Sequence, residues 1–180
     1  MQPVTERILI TGGPGFGKSS IITELEHRGL FVFHEISRQI ITRELAINGD
    51  CTPWQNVECF SEEVLHGRIA QYEMANGFCF YDRGLPDIAG FIVKEKKPVP
   101  ADLWKLCKSM KYSQKVFFTA PWESIFHSDE ERKEDFVAAV AVHKALQSVY
   151  KELGYTLINV PMGSICDRAD FVMRESGLFY

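Results

Sequence analysis

The chain has 180 residues, enough for one domain with a sizeable core, and its 46% hydrophobic and 24% charged residues are ordinary for a soluble globular protein. A net charge of −4 argues against a broad nucleic-acid-binding surface but leaves room for a small local anion site. No apolar run approaches the ~20 residues that span a bilayer, and Met1–Arg7 lacks a basic segment ahead of a long apolar one, so neither membrane association nor a signal peptide is expected.

In chain order, Ile8-Leu9-Ile10-Thr11 is a short apolar, β-branched run of buried-strand type. It runs into Gly12-Gly13-Pro14-Gly15-Phe16-Gly17-Lys18-Ser19, which fits G-x-x-x-x-G-K-[ST]. Ser19 to Arg28 reads as a helix with Ile21, Ile22 and Leu25 on one face and Gly29 as its stop. Further strands are expected at Leu30–His34, Phe78–Asp82, Lys115–Thr119 and Tyr155–Val160. A helix from Ile36 to Asn48 aligns Ile36, Ile40, Ile41 and Leu45, and one from Gln55 to Asn76 aligns Val57, Phe60, Val64 and Tyr72. Lys94-Glu95-Lys96-Lys97-Pro98 reads as a solvated loop. Phe136 to Leu153 repeats Ala139, Val142, Leu146, Val149 and Leu153, and a last helix runs from Ser164 to Glu175. Strands alternating with helices predict one α/β domain over 1–180, a five-stranded, mostly parallel sheet with helices on both faces; together with the G-x-x-x-x-G-K-[ST] motif this reads as a three-layer P-loop NTPase fold. The five cysteines, Cys51, Cys59, Cys79, Cys107 and Cys166, are odd in number and form no C-x-x-C. They read as reduced thiols of a cytoplasmic protein, without a zinc site.

The glycine-rich stretch is the P-loop form, and strand, loop, helix is the order that aims a helix N-terminus at phosphates. The nucleotide-binding residues are therefore Gly12, Gly13, Pro14, Gly15, Phe16, Gly17, Lys18, Ser19 and Ser20. Lys18 would reach the β- and γ-phosphates of ATP, and the Ser19 hydroxyl would ligate Mg²⁺. In an open α/β sheet, ligands bind beyond the carboxyl ends of the strands, so His34-Glu35 and Asp82-Arg83 belong to the same rim as the loop. Four apolar residues closed by Asp82 have the Walker B form, which assigns Asp82 to the metal; capping of the next turn is the alternative. Glu35 is a candidate general base for an attacking hydroxyl, or a first-turn Glu favouring the helix N-terminus. Arg83 and Arg38 are candidates for binding the acceptor, with a structural ion pair the alternative for Arg83. His34 reads as a strand-end residue, and Trp54, Trp104 and Trp122 as packing residues. The N-K-x-D signature of guanine-specific GTPases is absent.

These motifs resemble the AAA-like single-domain P-loop ATPases related to ribosylnicotinamide kinase and, more distantly, to nucleoside and nucleotide kinases. The resemblance covers nearly the whole chain. It rests on Ile10 to Ser19, on Glu35 with Arg38, on Asp82-Arg83-Gly84 followed by Pro86-Asp87, and on Asp129 with Arg132. Tyr150, Gly154-Tyr155 and Val160-Pro161 complete it. It implies a lid segment at about 123–135 whose Arg132 closes on the γ-phosphate, and an adenine site near Pro161 to Ser164. No sensor motif and no room for a helical lid domain are seen, so a hexameric motor is not expected.

The expected function is that of a Mg²⁺- and ATP-dependent kinase for a small molecule, nucleoside or nucleotide, or of an ATPase, with Lys18, Glu35 and Arg132 catalytic. The alternative is a nucleotide-binding regulatory switch that hydrolyses ATP or GTP slowly and captures a protein partner. The acceptor and the oligomeric state are left open.

Overall fold

The computed structural model describes residues 5–126 and 135–178. The elements run β1 Glu6–Thr11, α1 Lys18–His27, β2 Phe31–Phe33, α2 Ile36–Ile47, α3 Val57–Met74, β3 Phe78–Asp82 and α4 Leu85–Lys94. They continue with α5 Ala101–Ser109, β4 Lys115–Thr119, a 3-10 turn Glu123–Ile125, α6 Phe136–Glu152, β5 Thr156–Val160 and α7 Ile165–Glu175. The strands form one sheet in the order β2-β3-β1-β4-β5, and every pairing is parallel.

The strands read as unbroken apolar runs because both faces of the sheet are covered. On one face Leu9, Tyr81, Val116 and Phe118 pack with Leu85 and Ala89 of α4, Cys107 of α5 and Val142, Leu146 and Val149 of α6. On the other, Ile8, Ile10, Phe80 and Phe117 pack with Ile21, Ile22 and Leu25 of α1 and Ala169 and Val172 of α7. The helix after β1 therefore lies on one face and the helix after β3 on the other. The crevice opens between the carboxyl ends of those neighbouring strands, where the register pairs Ile10 with Asp82.

Several local expectations change. No helix was expected over 85–109, yet α4 and α5 lie there. Helix α4 is wedged between the sheet, α6 and α5, and Asp87 and Lys94, seven residues apart, mark its one polar side. Gly90, which looks like a helix breaker, is where α4 approaches α6: a Cβ there would stand 2.4 Å from a methyl of Leu146. On α2 the buried face is Ile40, Ile41 and Glu44, while Leu45 points outward; on α3, Val57 is exposed. Glu44 is buried because its carboxylate accepts from the Cys51 amide (3.2 Å) and pairs with Arg43 (2.7 Å). The cysteine reading is corrected as well. Cys51 and Cys59 form a disulfide across the α2–α3 connection, with Cα atoms 5.4 Å apart, whereas Cys79, Cys107 and Cys166 are free. Helix α3 starts two residues later than expected, because Asn56 caps it by accepting from the Cys59 amide. No helix among the described residues is long and apolar enough to cross a membrane.

Candidate active site

Residues 12–17 carry the chain from β1 into α1, which opens at Lys18. Gly12 has φ 137°, and a Cβ there would stand 2.6 Å from the Thr119 hydroxyl, so only glycine fits against β4. Lys18 is buried, and its Nζ donates to the Gly13 carbonyl at 2.8 Å, turning the ammonium onto the loop's own backbone. Pro14 and Phe16 are buried, whereas Ser20 is exposed on α1. Across the crevice the Ser19 hydroxyl donates to Asp82 Oδ2 at 2.7 Å. Among the described residues Asp82 Oδ1 is buried with no hydrogen-bond partner. An orphaned carboxylate oxygen beside a hydroxyl is a hard-oxygen donor set of the kind Mg²⁺ takes while keeping several waters, so the residues fit that ion. Burial, and then the charge of Glu35, push the Asp82 carboxyl upward, while Lys18 and Arg83 oppose them. A cation placed at Oδ1 would relieve that strain.

Next to this pair lies a buried charge network. Arg83 takes a left-handed backbone (φ 72°), which turns its side chain back under the rim. Its Nε donates to Glu35 Oε1 at 2.8 Å, and its Nη1 to the Gly12 carbonyl at 3.0 Å and Asp87 Oδ1 at 3.2 Å. Burial works against its charge, but Glu35, Asp87 and Asp82 more than offset this, and the guanidinium stays protonated. Asp87, fully buried, also accepts from the Thr11 hydroxyl, the Gly84 amide (2.8 Å) and the Tyr150 hydroxyl (2.6 Å). Burial first, and Asp87 second, push the Tyr150 hydroxyl far up, so it remains a donor. Glu35 is the N-cap residue of α2; its carboxylate caps nothing, and its Oε2 lies 3.9 Å from Nε of Arg38 one turn on. From α3, Arg68 donates to the Gly84 carbonyl (2.7 Å) and Gln71 to the His34 carbonyl (2.9 Å), fixing two rim loops from behind.

A profile of the family described as "AAA domain" matches residues 7–168. The chain belongs to this AAA-domain family. A search of curated proteins finds no match. Among solved structures, this AAA-domain protein is similar to deoxyadenosine kinase from M. mycoides with bound dATP (TM-score 0.69, 16% identity, 94% of this chain and 98% of that one). It is also similar to thymidylate kinase from Candida albicans (TM-score 0.63, 15% identity, 95% and 90%). A third likeness is to NadR in complex with NAD and AMP-PNP (TM-score 0.63, 17% identity, 98% of this chain and 51% of that one). At such identities the likeness shows the fold, which is that of P-loop kinases.

In the AAA-domain protein the P-loop, Ser19, Asp82, Glu35, Arg38 and Arg83 all come to the carboxyl rim, as the sequence led one to expect. Arg83 is 2% exposed, which favours the carboxylate-holding of its two readings over direct contact with a ligand. Asp129 and Arg132 lie outside the described residues. His34 sits at the strand end, its ring 3.0 Å from Glu26. Trp122 is half-buried with Arg168 of α7 above its ring (5.8 Å), a contact that a packing role alone did not suggest. Asp87, Arg68 and Arg168 were given no role from sequence; only Asp87 had a local signal, in Gly84-Leu85-Pro86-Asp87, where proline and an acid open a helix. A cavity of about 450 Å³, lined by Glu6, Phe78, Lys115 and Glu175, lies at the amino ends of the strands, the wrong end of the sheet for this chemistry.

Proposed function

We propose that this protein is a single-domain ATP-dependent phosphotransferase that passes the γ-phosphoryl group to a hydroxyl of a small molecule, of nucleoside or nucleotide kinase type. The observation that carries the reading is the Glu35 carboxylate, gripped by buried Arg83 on the same rim as Lys18 and the Ser19–Asp82 pair. A carboxylate fixed there suits a hydroxyl acceptor, and the more exposed Arg38 beside it suits an acceptor with negative charge. The kinases of deoxyadenosine and thymidylate that share this fold agree with it.

In this reading the amides of Gly12 to Gly17, with Lys18, Ser19 and Ser20, hold the phosphates. Ser19 and Asp82 hold Mg²⁺, which when bound neutralises charge on the phosphate oxygens. The acceptor oxygen attacks the γ-phosphorus. The bond from that phosphorus to the bridging oxygen breaks, and its electron pair leaves on ADP. The hydroxyl proton passes to Glu35. Arg83 acts through Glu35 by holding it, Arg38 orients the acceptor, and Arg132 is assigned to the γ-phosphate.

The test is ADP release from ATP with Mg²⁺, with and without a mixed pool of nucleosides and nucleotides. The pool should stimulate release, and Lys18→Ala should abolish it. Glu35→Gln should lower the stimulated kcat by ~10²–10⁴, the worth of a general base. Full transfer by Glu35→Gln would remove Glu35 from the chemistry, and slow release indifferent to every acceptor would replace the kinase by a hydrolase.

A further inference from the structure

Arg168 stands in the first turn of α7, far from the P-loop in sequence, yet its guanidinium is packed against it. It is 4% exposed. Its Nη2 donates to the Phe16 carbonyl at 3.1 Å, and its Nη1 lies 2.6 Å from where a Cβ on Gly17 would stand. The other face of the guanidinium is turned to Trp122. Among the described residues its Nε has no hydrogen-bond partner, and burial with no opposing carboxylate acts on its charge. Burying a cation without a counter-charge is costly, and burial alone lowers its hold on the proton. Nothing in the packing of α7 asks for that expense, since the neighbouring core positions Ala169 and Val172 are apolar. An anion on the far side of the loop would supply a counter-charge that the described residues do not.

We infer that Arg168 is a positioning residue of the phosphate-binding loop, set to orient the Phe16–Gly17 peptide for the polyphosphate of the nucleotide. Across a trans peptide the carbonyl and the amide N–H point in opposite directions. By holding the Phe16 carbonyl toward α7, Arg168 turns the Gly17 N–H away from α7. Gly17 is the N-cap residue of α1, and its φ of 75° is a conformation a Cβ would oppose; the space a Cβ would fill belongs to the guanidinium. The amide ahead of Lys18 is thus aimed before any ligand arrives, and preorganised donors are worth more than donors that must reorient. The inference rests on reading 12–19 as the site of the nucleotide's phosphates, and goes beyond it in assigning a residue that no motif includes.

The test compares binding of Mg·ATP and of inorganic tripolyphosphate with Mg²⁺, by titration calorimetry, for the parent, Arg168→Met, Arg168→Lys and Lys18→Ala. Arg168→Met keeps the length of the stem and removes charge and donors. It should weaken both ligands by about tenfold, the worth of one charge-assisted hydrogen bond. Arg168→Lys should recover part of that loss for both ligands, a rescue that a purely packing role would not produce. If ATP weakens and tripolyphosphate does not, the guanidinium serves the base or ribose and the inference fails. It fails equally if both ligands bind as in the parent. Should Arg168→Met not fold, Arg168→Lys decides alone: an intermediate loss shared by the two ligands supports the role, and unchanged affinity for both refutes it. Lys18→Ala separates the two levels. If it too binds tripolyphosphate like the parent, the phosphate site itself is misassigned; if it loses binding while both Arg168 variants keep it, only the Arg168 role falls.

Discussion

Replacing Asp87 with Asn keeps the shape of the side chain and removes its charge, so it isolates what the buried carboxylate does. Oδ1 accepts from Arg83 and Thr11, and Oδ2 from the Gly84 amide and Tyr150. An Asn must place its NH₂ on one side. The Thr11 and Tyr150 hydroxyls can rotate to become acceptors, but the Gly84 amide and the Arg83 guanidinium cannot. One fixed, buried donor is therefore left facing another donor, at a cost of about 1–3 kcal/mol. Arg83 also loses one of its two carboxylates; removal of a sole buried partner costs about 3–5 kcal/mol, and with Glu35 still at 2.8 Å about half of that applies. The sum is about 4 kcal/mol, or a fall in Tm of roughly 8–16 °C for a chain of this size. Urea melts and calorimetry of Asp87→Asn beside Tyr150→Phe measure it. Tyr150→Phe removes one hydrogen bond to the carboxylate and should cost about 2 kcal/mol, and the double variant should cost less than the sum of the two. A loss below about 1 kcal/mol for Asp87→Asn would refute the view of the carboxylate as the tie between β1, α4 and α6.

Burial, then the charge of Lys18, lowers the His143 imidazole to about 4, against 6.5 unfolded. Since the folded form resists protonation, stability is flat above 6.5 and falls as pH drops from there to about 4; at 1.36 kcal/mol per unit, reduced for solvent screening, this is about 2 kcal/mol. His143→Phe, which keeps the edge contacts to Phe16 and Phe118, should flatten that limb relative to the parent, and parallel stability–pH curves would sink the assignment. Reducing the Cys51–Cys59 bond, which closes a separation of 8 residues, should cost about 2.5 kcal/mol on the chain-entropy view. Melts with and without a dithiol reductant, with Cys59→Ser as the control that no longer responds, measure it, and coincident melts of the parent would contradict the estimate.

The P-loop and the succession of strands along the chain were legible because each rests on local chemistry: a loop whose spacing is its mechanism, and strands whose two-sided burial leaves no polar alternation. Glu35, Asp82 and Arg83 followed from one topological rule about strand tips. What stayed hidden depends on distant partners. Arg168 meets Phe16 across 152 residues, and Thr11 meets Asp87 across 76, so neither contact leaves a periodic trace. Helix α4 was missed although Asp87 and Lys94 mark a polar side at helical spacing, because Pro86 and Gly90 read as helix breakers: Pro86 in fact stands in the first turn, and Gly90 is where α6 comes close. Glu44 drew no reading from the sequence, since an acid is rarely buried, and the Cys51 amide and Arg43 explain its burial.

The Phe126 and Phe136 rings meet at 5.5 Å, and both rest on the Phe16 ring of the P-loop, at 6.4 and 5.8 Å. The two ends of the intervening stretch are thus clasped at one point. Truncating either ring would open space beside Phe16 and so loosen the phosphate-binding loop from the side, through residues that belong to none of its motifs.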